Sequence, residues 1–276
     1  MNDMCMISVV IPSHNPGKYL QQAVISAIKQ DMDLEIVIVD DASEDDACER
    51  LKASVLSKFG ARNLIRGNNL WRADFCVKTK NVRLVIFRSE ENIGVAEARN
   101  RGVQLAKGKY IAFLDADDLW EENKLKKQLA LMENRRASLC NTARRLIRED
   151  GTPTEHVLHT PKKITLSVLE KDNVINCSSV LIRREVLLAH PMERSDTAED
   201  YLSWLTLARA GYEMIGLDEP LLLYRVNKGS KGANKLKACT MHFKSLRAAG
   251  YGRKSAAKLT GSYIIKGIKK YTSKGA

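Results

Sequence analysis

The stretch Phe-Leu-Asp-Ala-Asp-Asp at residues 113–118 decides how the rest of the chain is interpreted. Residues 110–114 form a short run of aromatic and branched apolar residues, which predicts a buried strand. Three carboxylates then follow within four residues, where that strand must end. Carboxylates this close repel one another unless a positive charge lies between them, and oxygen ligands on alternate residues suit a hard divalent cation. The pattern therefore predicts a metal or phosphate site; the alternative is one acid capping a helix that begins near Leu119.

The chain before this stretch alternates between two patterns. Apolar, β-branched runs predict strands at 6–11, 34–39, 82–87 and 110–114, and helical spacing of apolar residues predicts helices over 17–30, over 43–57 with Ser43 as its cap, and from the turn after Asn92 to about 107. This alternation is typical of an α/β fold with a mostly parallel central sheet and helices on both faces. Ligands bind such sheets at the carboxyl ends of the strands. Three polar turns fall at those ends, namely 12–15, 40–41 and 115–118.

Residues 58–81 fit this alternation poorly, because they are longer than a connection from a helix to a strand needs. We expect this segment to lie at the opposite edge of the sheet from the site and to serve packing or a partner. Beyond residue 118 the predicted elements are a helix over 121–134, a strand over 138–148, a strand over 174–183 leading into a helix to Ala189, a capped helix from Thr197 to a stop at Gly211, and a strand over 217–226.

The composition and the cysteine pattern indicate an intracellular protein. The 276 residues include six scattered cysteines without a C-x-x-C pair, which fits free thiols in a reducing cytosol. Asp3 and the lack of a long apolar run near the start argue against a signal peptide, and no stretch of eighteen apolar residues suggests a membrane span. We therefore expect a cytoplasmic location. The pair His156 and His159 has no further His or Cys cluster nearby and is interpreted as exposed loop.

The net charge of +12 is concentrated at the end of the chain. Residues 227–276 hold thirteen Lys and Arg, and no acidic residue follows Glu219. We therefore divide the chain into a domain over 1–226, with halves 1–120 and 121–226, and a basic tail. The tail mixes apolar and cationic residues, as segments on an anionic membrane surface do, so the protein could bind the inner face of the membrane peripherally; a solvated helix is the alternative. Nucleic acid is not expected, because no helix-turn-helix, RNP or finger pattern accompanies the charge.

Four motifs, in this order, resemble the family 2 inverting glycosyltransferases of the GT-A fold. They are Ser-Val-Val-Ile-Pro-Ser-His-Asn at 8–15, the paired acids within 35–45, the turn and helix of 92–102 followed by Asp-Ala-Asp-Asp at 115–118, and Glu-Asp at 199–200. The resemblance covers residues 6–226. It implies transfer of a sugar from a nucleoside-diphosphate sugar, with a UDP-sugar as the expected donor, to a hydroxyl of a saccharide or lipid-linked saccharide. Surface polysaccharide or lipopolysaccharide assembly is the expected setting.

The resemblance also implies roles for the nucleotide-binding turns. Pro12, Ser13 and Asn15 would line the nucleotide with backbone and small polar groups. His14 stands where the family often has an aromatic residue, and it could stack on the base. Asp41 would accept a hydrogen bond from the base; alternatively, the paired acids only precede a helix cap.

The remaining roles concern the metal and the chemistry. Asp117, together with Asp115, would hold Mg²⁺ or Mn²⁺ against the diphosphate, and Asp115 would also face the ribose. Arg99 would contact phosphate, or else solvate a helix face. Asp200, paired with Glu199, would take the proton of the acceptor hydroxyl; the alternative is an ordinary acidic helix N-terminus.

Other functions are less well supported by the residues. A catalytically inactive relative that only binds the nucleotide sugar is one alternative, and the retained acid at Asp200 argues against it. A dinucleotide-dependent dehydrogenase is disfavoured because the turn at 12–17 has no G-x-G-x-x-G. A nucleotidyltransferase would need a glycine-rich basic loop after the first strand. Asn227 stands where the family often has a His, so no role of that His is carried over.

Overall fold

The fold is described here from a computed structural model, which covers residues 6–193, 196–226 and 235–272. Within these ranges the strands are β1 (Ile7–Ser13), β2 (Leu34–Asp40), β3 (Arg62–Arg66), β4 (Leu70–Val77), β5 (Lys80–Arg88), β6 (Tyr110–Phe113), β7 (Leu119–Trp120), β8 (Leu139–Ile147), β9 (Pro153–Leu158), β10 (Lys163–Ile164), β11 (Leu181–Arg183) and β12 (Met214–Arg225). The helices are α1 (Tyr19–Ile28), α2 (Ala47–Phe59), α3 (Val95–Leu105), α4 (Lys124–Arg135), α5 (Leu166–Leu169), α6 (Arg184–Ala189), α7 (Glu199–Arg209), α8 (Lys235–Ala248) and α9 (Arg253–Thr272).

Four parallel strands lie in the middle of the sheet, in the order β6-β1-β2-β5. Every residue of β1 and β2 is buried, because parallel strands covered by helices need apolar residues on both faces. The full order is β10-β12-β8-β11-β6-β1-β2-β5-β4-β3, with β7 beside β12 and β9 beside β8. The α/β fold and its parallel centre are confirmed, whereas pairing outside the centre is mixed: β8 and β12 are parallel and the other outer pairs are antiparallel.

Side chains alternate across β1 and feed two hydrophobic clusters, one on each face of the sheet. Ile7, Val9 and Ile11 belong to the first cluster, which also contains residues of α1, α2 and α4. Val10 belongs to the second cluster, which contains residues of α3, α6, α7, α8 and α9. The prediction of helices on both faces is therefore confirmed.

Two predicted helix starts are wrong. The helix expected near Leu119 begins instead at Lys124, since residues 119–120 form the short strand β7 against β12. The helix after β2 begins at Ala47, and Ser43 does not cap it: the Ser43 hydroxyl accepts a hydrogen bond from the backbone N–H of Asn15 at 3.0 Å. In both places a tertiary contact replaces the local one that the sequence suggested.

Two segments differ from the expected elements. Residues 58–81 contain the unpredicted hairpin β3–β4, which extends the sheet beyond β5 through antiparallel pairing. Of the strand expected over 174–183, the three residues of β11 pair with β6 and β8, and Cys177–Ser179 form a 3-10 turn.

Much of the basic tail packs on the rest of the chain. In the second cluster, Leu246 of α8 and Ala256 of α9 are fully buried beside residues of α7. Lys254 and Lys258 are exposed, so α9 is amphipathic, with cations toward solvent. The division into domain and tail stays a prediction, but the described part of the tail is not separate from the body. None of the helices described in the structure has the length and apolar character that a membrane crossing requires. Asn227 lies outside the described residues.

Candidate active site

A cavity of about 730 Å³ lies at the carboxyl ends of β1 and β6 and is closed on another side by the start of α7. Eight of the residues singled out in the sequence line it: Pro12, His14, Asn15, Arg99, Asp115, Asp117, Glu199 and Asp200. The two others, Ser13 and Asp41, are buried behind the cavity wall. Four stretches that are distant in sequence therefore meet in one place.

The turn after β1 is held by hydrogen bonds to the turn after β2. Asn15 adopts a left-handed conformation with φ of +48°, and its side-chain oxygen accepts from the backbone N–H of Glu44 at 2.7 Å. The ring Nδ1 of His14 donates to the carbonyl of Asp41 at 2.7 Å. These bonds fix the orientation of both turns, so the polar edge along the cavity is preorganised.

Asp41 connects the turn before α3 to the turns after β1 and β2. Its two carboxylate oxygens accept from the backbone N–H groups of Ile93 and Gly94, at 2.7 and 3.0 Å. Gly94 has φ of +83°, a conformation that glycine adopts without strain. The carboxylate thus joins the β2 turn to the start of α3. Each oxygen retains a further acceptor site, so a hydrogen bond from a nucleotide base stays a prediction.

Arg99 links the two acidic motifs. The guanidinium is buried and donates from Nη2 to Asp115 at 2.7 Å and from Nη1 to Glu199 at 2.8 Å. Burial alone would lower the pKa of Arg99, but the neighbouring groups Cys177, Asp115 and Glu199 outweigh burial and the pKa is raised. The pair with Glu199 is buried on both sides, whereas Asp115 is about one third exposed (32 %), so this geometry favours a positioning role for Arg99; the predicted contact with phosphate stays a prediction.

Asp200 differs from its neighbour Glu199. The Glu199 carboxylate is occupied by Arg99, whereas Asp200 lies against the cavity with one oxygen accepting from the backbone N–H of Tyr201 at 2.7 Å. Burial, and next the negative charge of Glu199, raise the pKa of Asp200 to about 6. A carboxylate with this pKa is deprotonated near pH 7 and is a better proton acceptor than an ordinary aspartate.

The three carboxylates after β6 have three different environments. Asp115 is paired with Arg99, and Asp117 is half-buried and lines the cavity. Asp118 is 1 % exposed and accepts from the backbone N–H of Arg225 at 3.0 Å. Burial, with the charges of Asp117 and Asp115, raises the pKa of Asp118 well above its usual range. Asp118 is therefore a structural residue, and the other two carboxylates face the site.

The oxygen ligands at this edge of the sheet fit a divalent cation that is coordinated partly by the protein and partly by a substrate. Among the described residues no group of three or more His, Cys, Asp or Glu side chains is arranged to hold a metal by itself. Asp115 and Asp117 supply two carboxylates to the cavity. Mg²⁺ typically takes one or two carboxylates and completes its shell with substrate phosphates and water, so the pair fits that mode.

Several cavity residues were not singled out as site residues from the sequence. Arg225 is 1 % exposed, and its guanidinium donates to the carbonyl of Asp117 at 2.7 Å and to that of Glu149 at 2.7 Å. The wall opposite the strand ends is formed by residues of the basic tail: Ala238, Met241, His242 and Tyr263. The helical spacing of 238, 241, 242, 245 and 246 marks a buried face and could have indicated packing here.

Comparison with known proteins identifies the family of this chain. The family model described as glycosyl transferase family 2 matches residues 8–189. The chain belongs to this family. As a family 2 glycosyltransferase it is 33% identical over 234 residues to TuaG of Bacillus subtilis, named as a teichuronic acid biosynthesis glycosyltransferase, with 84% of each chain covered. It is 28% identical to WfaP of Escherichia coli, a UDP-Glc:alpha-D-GlcNAc-diphosphoundecaprenol beta-1,3-glucosyltransferase, with 97% of this chain and 96% of WfaP covered.

Solved structures confirm the GT-A type fold of this glycosyltransferase. S. aureus TarS 1-349 in complex with UDP-GlcNAc superposes with a TM-score of 0.65 at 16% identity, over 95% of this chain and 72% of that one. The mannosyltransferase PcManGT from Pyrobaculum calidifontis, in complex with GDP-Man and Mn²⁺, gives a TM-score of 0.64 at 16% identity, over 94% of this chain and 69% of that one. At these identities the likeness concerns the fold.

Proposed function

We propose that this family 2 glycosyltransferase moves a sugar, with inversion, from a UDP-sugar to a hydroxyl of a lipid-linked saccharide during surface polysaccharide assembly. The relatives TuaG and WfaP, whose names give teichuronic acid biosynthesis and a diphosphoundecaprenol-linked acceptor, support this setting. One observation carries the proposal: Asp200, whose pKa burial raises to about 6, lines the same cavity as Asp115, Asp117 and the turn after β1.

In this proposal the strand ends bind the donor. The backbone and side chains of Pro12, His14 and Asn15 line the nucleotide, with Ser13 and Asp41 holding the turns behind them. Asp117 and Asp115 would hold Mg²⁺ or Mn²⁺, which when bound would supply positive charge to neutralise the leaving diphosphate.

Asp200 then acts as the general base. It accepts the proton of the acceptor hydroxyl as the hydroxyl oxygen bonds to the anomeric carbon and the bond from that carbon to the diphosphate oxygen breaks. A single displacement inverts the configuration. Arg99 and Glu199 hold the first turn of α7 against the strand ends, so that the base faces the donor's sugar.

Asp200→Asn tests the assignment of the base. Asn keeps the size of the side chain but cannot take a proton at neutral pH, so we expect transfer from UDP-glucose to an α-GlcNAc diphosphate with an alkyl chain to fall about 10²–10⁴-fold. The Kd for UDP with Mn²⁺, measured by calorimetry, should move less than about twofold. Near-normal transfer by Asp200→Asn would refute the general-base role and leave Asp200 as an ordinary acidic residue at a helix N-terminus. Wild-type protein that gives a product of retained configuration would contradict inversion.

Asp117→Ala tests the metal assignment. If Asp117 holds the cation, the variant should bind UDP more weakly in Mn²⁺, and EDTA should make little further difference. Asp150→Ala serves as the matched control, because Asp150 is an exposed turn acid that accepts a hydrogen bond from the backbone N–H of Thr152 and does not line the cavity. A variant whose binding and EDTA response equal those of wild type would refute the metal role.

The proposed location is peripheral, on the inner face of the membrane, where a lipid-linked acceptor is accessible. The outer side of α9 carries the exposed residues Arg253, Lys254 and Lys258, followed by Ile264 and Ile265. Basic residues near an anionic leaflet each contribute about 1 kcal/mol to binding. Replacement of the three cations by Gln should reduce sedimentation with vesicles containing anionic lipid at low salt. Equal sedimentation of variant and wild type would exclude this surface.

A further inference from the structure

Helices α8 and α9 form a wall of the cavity that is separate from the residues proposed to bind the donor. Met241 and His242 of α8 and Tyr263 of α9 line the cavity together with Asp200 and Tyr201 at the start of α7. The nucleotide-binding turns and the two metal-binding carboxylates lie on strand ends instead. The wall therefore borders the general base from the helical side.

Three aromatic rings fix this wall to the residue next to the base. The imidazole of His242 lies between the phenol rings of Tyr201 and Tyr263, with centroid distances of 4.8 and 4.2 Å and interplanar angles of 16° and 13°. The Tyr201 hydroxyl donates to the carbonyl of Leu169 at 2.9 Å, so the innermost ring is itself anchored. A rigid stack thus runs from α9 through α8 to the first turn of α7.

Further contacts dock the helix pair onto α7. The buried hydroxyl of Ser245 accepts from the backbone N–H of Ala198, the residue preceding α7, at 3.1 Å. Arg209, at the other end of α7, lies over the ring of Tyr251 at 4.2 Å. Because both ends of α7 are tied to the pair, the wall and Asp200 keep a fixed relative position.

The chemistry of the wall is uncharged. Burial lowers the pKa of His242 to about 4, so its imidazole is neutral near pH 7. The thioether of Met241 and the phenol of Tyr263 offer apolar and aromatic surface with few polar atoms, and the neutral imidazole supports the phenol from behind. A diphosphate gains nothing from such a surface, whereas the C–H face of a pyranose ring can pack on it while its hydroxyls reach polar groups nearby.

We propose that Met241 and Tyr263, with His242 stacked between Tyr263 and Tyr201 as their support, form the acceptor subsite, which packs against the apolar face of the accepting saccharide ring and presents one of its hydroxyls to Asp200. This inference rests on the proposed function, because it assigns the second substrate of the same reaction. It also makes the basic tail part of the catalytic unit.

Met241→Ala and Tyr263→Leu test the subsite. Each removes contact surface and keeps an apolar side chain, so we expect the KM for the α-GlcNAc diphosphate acceptor to rise about three- to tenfold, which corresponds to about 0.6–1.4 kcal/mol of lost packing. The Kd for UDP with Mn²⁺ and the slow hydrolysis of UDP-glucose should stay within about twofold of wild type. Tyr251→Phe is the matched control: Tyr251 lies between α8 and α9, outside the cavity, and the change removes its hydrogen bond to Glu170.

Two results would overturn the subsite. One is an unchanged acceptor KM in both variants, with circular dichroism showing that they are folded. The other is a rise in the UDP Kd equal to the rise in acceptor KM, which would assign the wall to the donor. Wild-type protein that binds UDP but transfers to no hydroxyl would contradict the proposed function; equilibrium dialysis of the acceptor would then still test the wall, and equal binding by wild type and variants would reject it.

Discussion

The two ends of the cavity, which we propose bind the donor and the acceptor and call the donor end and the acceptor end, are built in different ways. At the donor end, short turns follow parallel strands, and the polar groups belong to the turns themselves, as in Asn15 and Asp41. At the acceptor end, helices α7, α8 and α9 meet through apolar and aromatic faces, as in the stack around His242. A turn with a fixed backbone needs particular residues, so it leaves a motif in the sequence. A helical wall needs only a size and an apolar character, so it leaves none.

Arg99 belongs to both ends, since it binds Asp115 of the strand-end turn and Glu199 of the helical side. We expect Arg99→Met to have the largest effect, because it leaves two carboxylates without their buried partner. Loss of one member of a buried ion pair costs about 3–5 kcal/mol of unfolding free energy. Urea unfolding measures it, with Arg101→Met as control: this half-buried arginine on the same helix lies over the Phe87 ring and should cost about 0.5–1 kcal/mol. Equal costs for the two variants would mean that Arg99 does not join the ends.

Asp41→Asn probes the donor end alone. The amide keeps one acceptor oxygen, but its NH₂ group cannot accept from Ile93 or Gly94, so one of two charge-assisted bonds is lost. We expect a loss of about 1.5–3 kcal/mol of unfolding free energy together with a weaker UDP complex. The acceptor KM should not change. A raised acceptor KM at unchanged UDP affinity would reverse the assignment of the two ends.

The pH dependence reports on the boundary between the ends, where Asp200 lies. Burial is the main cause that raises the pKa of Asp200 to about 6, and the negative charge of Glu199 is the second. The base must be deprotonated to act, so kcat/KM should fall about tenfold per pH unit below about pH 6. Glu199→Gln removes a repelling negative charge, which lowers the pKa of Asp200, and the acid limb should therefore move to lower pH. A limb that stays in place would mean that another group titrates.

Ser245→Ala probes the acceptor end and should have the smallest effect. It removes the acceptor for the N–H of Ala198 and the hydroxyl donor that reaches the carbonyls of Met241 and Ala198, all neutral hydrogen bonds, each worth about 1 kcal/mol. We expect thermal unfolding at a slightly lower temperature and an acceptor KM raised about twofold, with an unchanged UDP Kd. Ser262→Ala, which removes a hydroxyl bonded within α9 itself, is the control and should change neither constant.

The donor end was largely predictable from the sequence because its determinants are local. A continuous β-branched run such as 34–39 predicts a strand buried on both faces, and the structure places Leu34–Asp40 there. The strands of the β3–β4 hairpin were not predicted, because polar and basic residues separate their few apolar ones. A hairpin at the edge of a sheet needs only one apolar face, which Trp71, Ala73 and Phe75 provide here.

The packing of the acceptor end was not predicted, because the many cations of residues 227–276 obscure the apolar spacing. Leu246 and Ala256 lie in the second cluster, although the residues around them suggested a basic tail. The role of Arg99 was likewise hidden: the spacing of Ala96, Arg99 and Val103 puts the arginine on the buried face of α3, but its two carboxylate partners are 16 and 100 residues away in sequence. Contacts at such separations depend on the fold, so a single sequence does not reveal them.

The two hydrophobic clusters lie on opposite faces of the sheet. This arrangement affects how substitutions could change the acceptor preference of the enzyme. Helices α7, α8 and α9 contribute to the second cluster, whereas α1 and α2, which follow the donor turns of β1 and β2, contribute to the first. Substitutions that reshape the acceptor wall therefore disturb packing mainly on one side of the sheet. The turns after β1 and β2 keep the support of α1 and α2 on the other side, so the proposed assignment allows acceptor preference to change with less effect on donor binding.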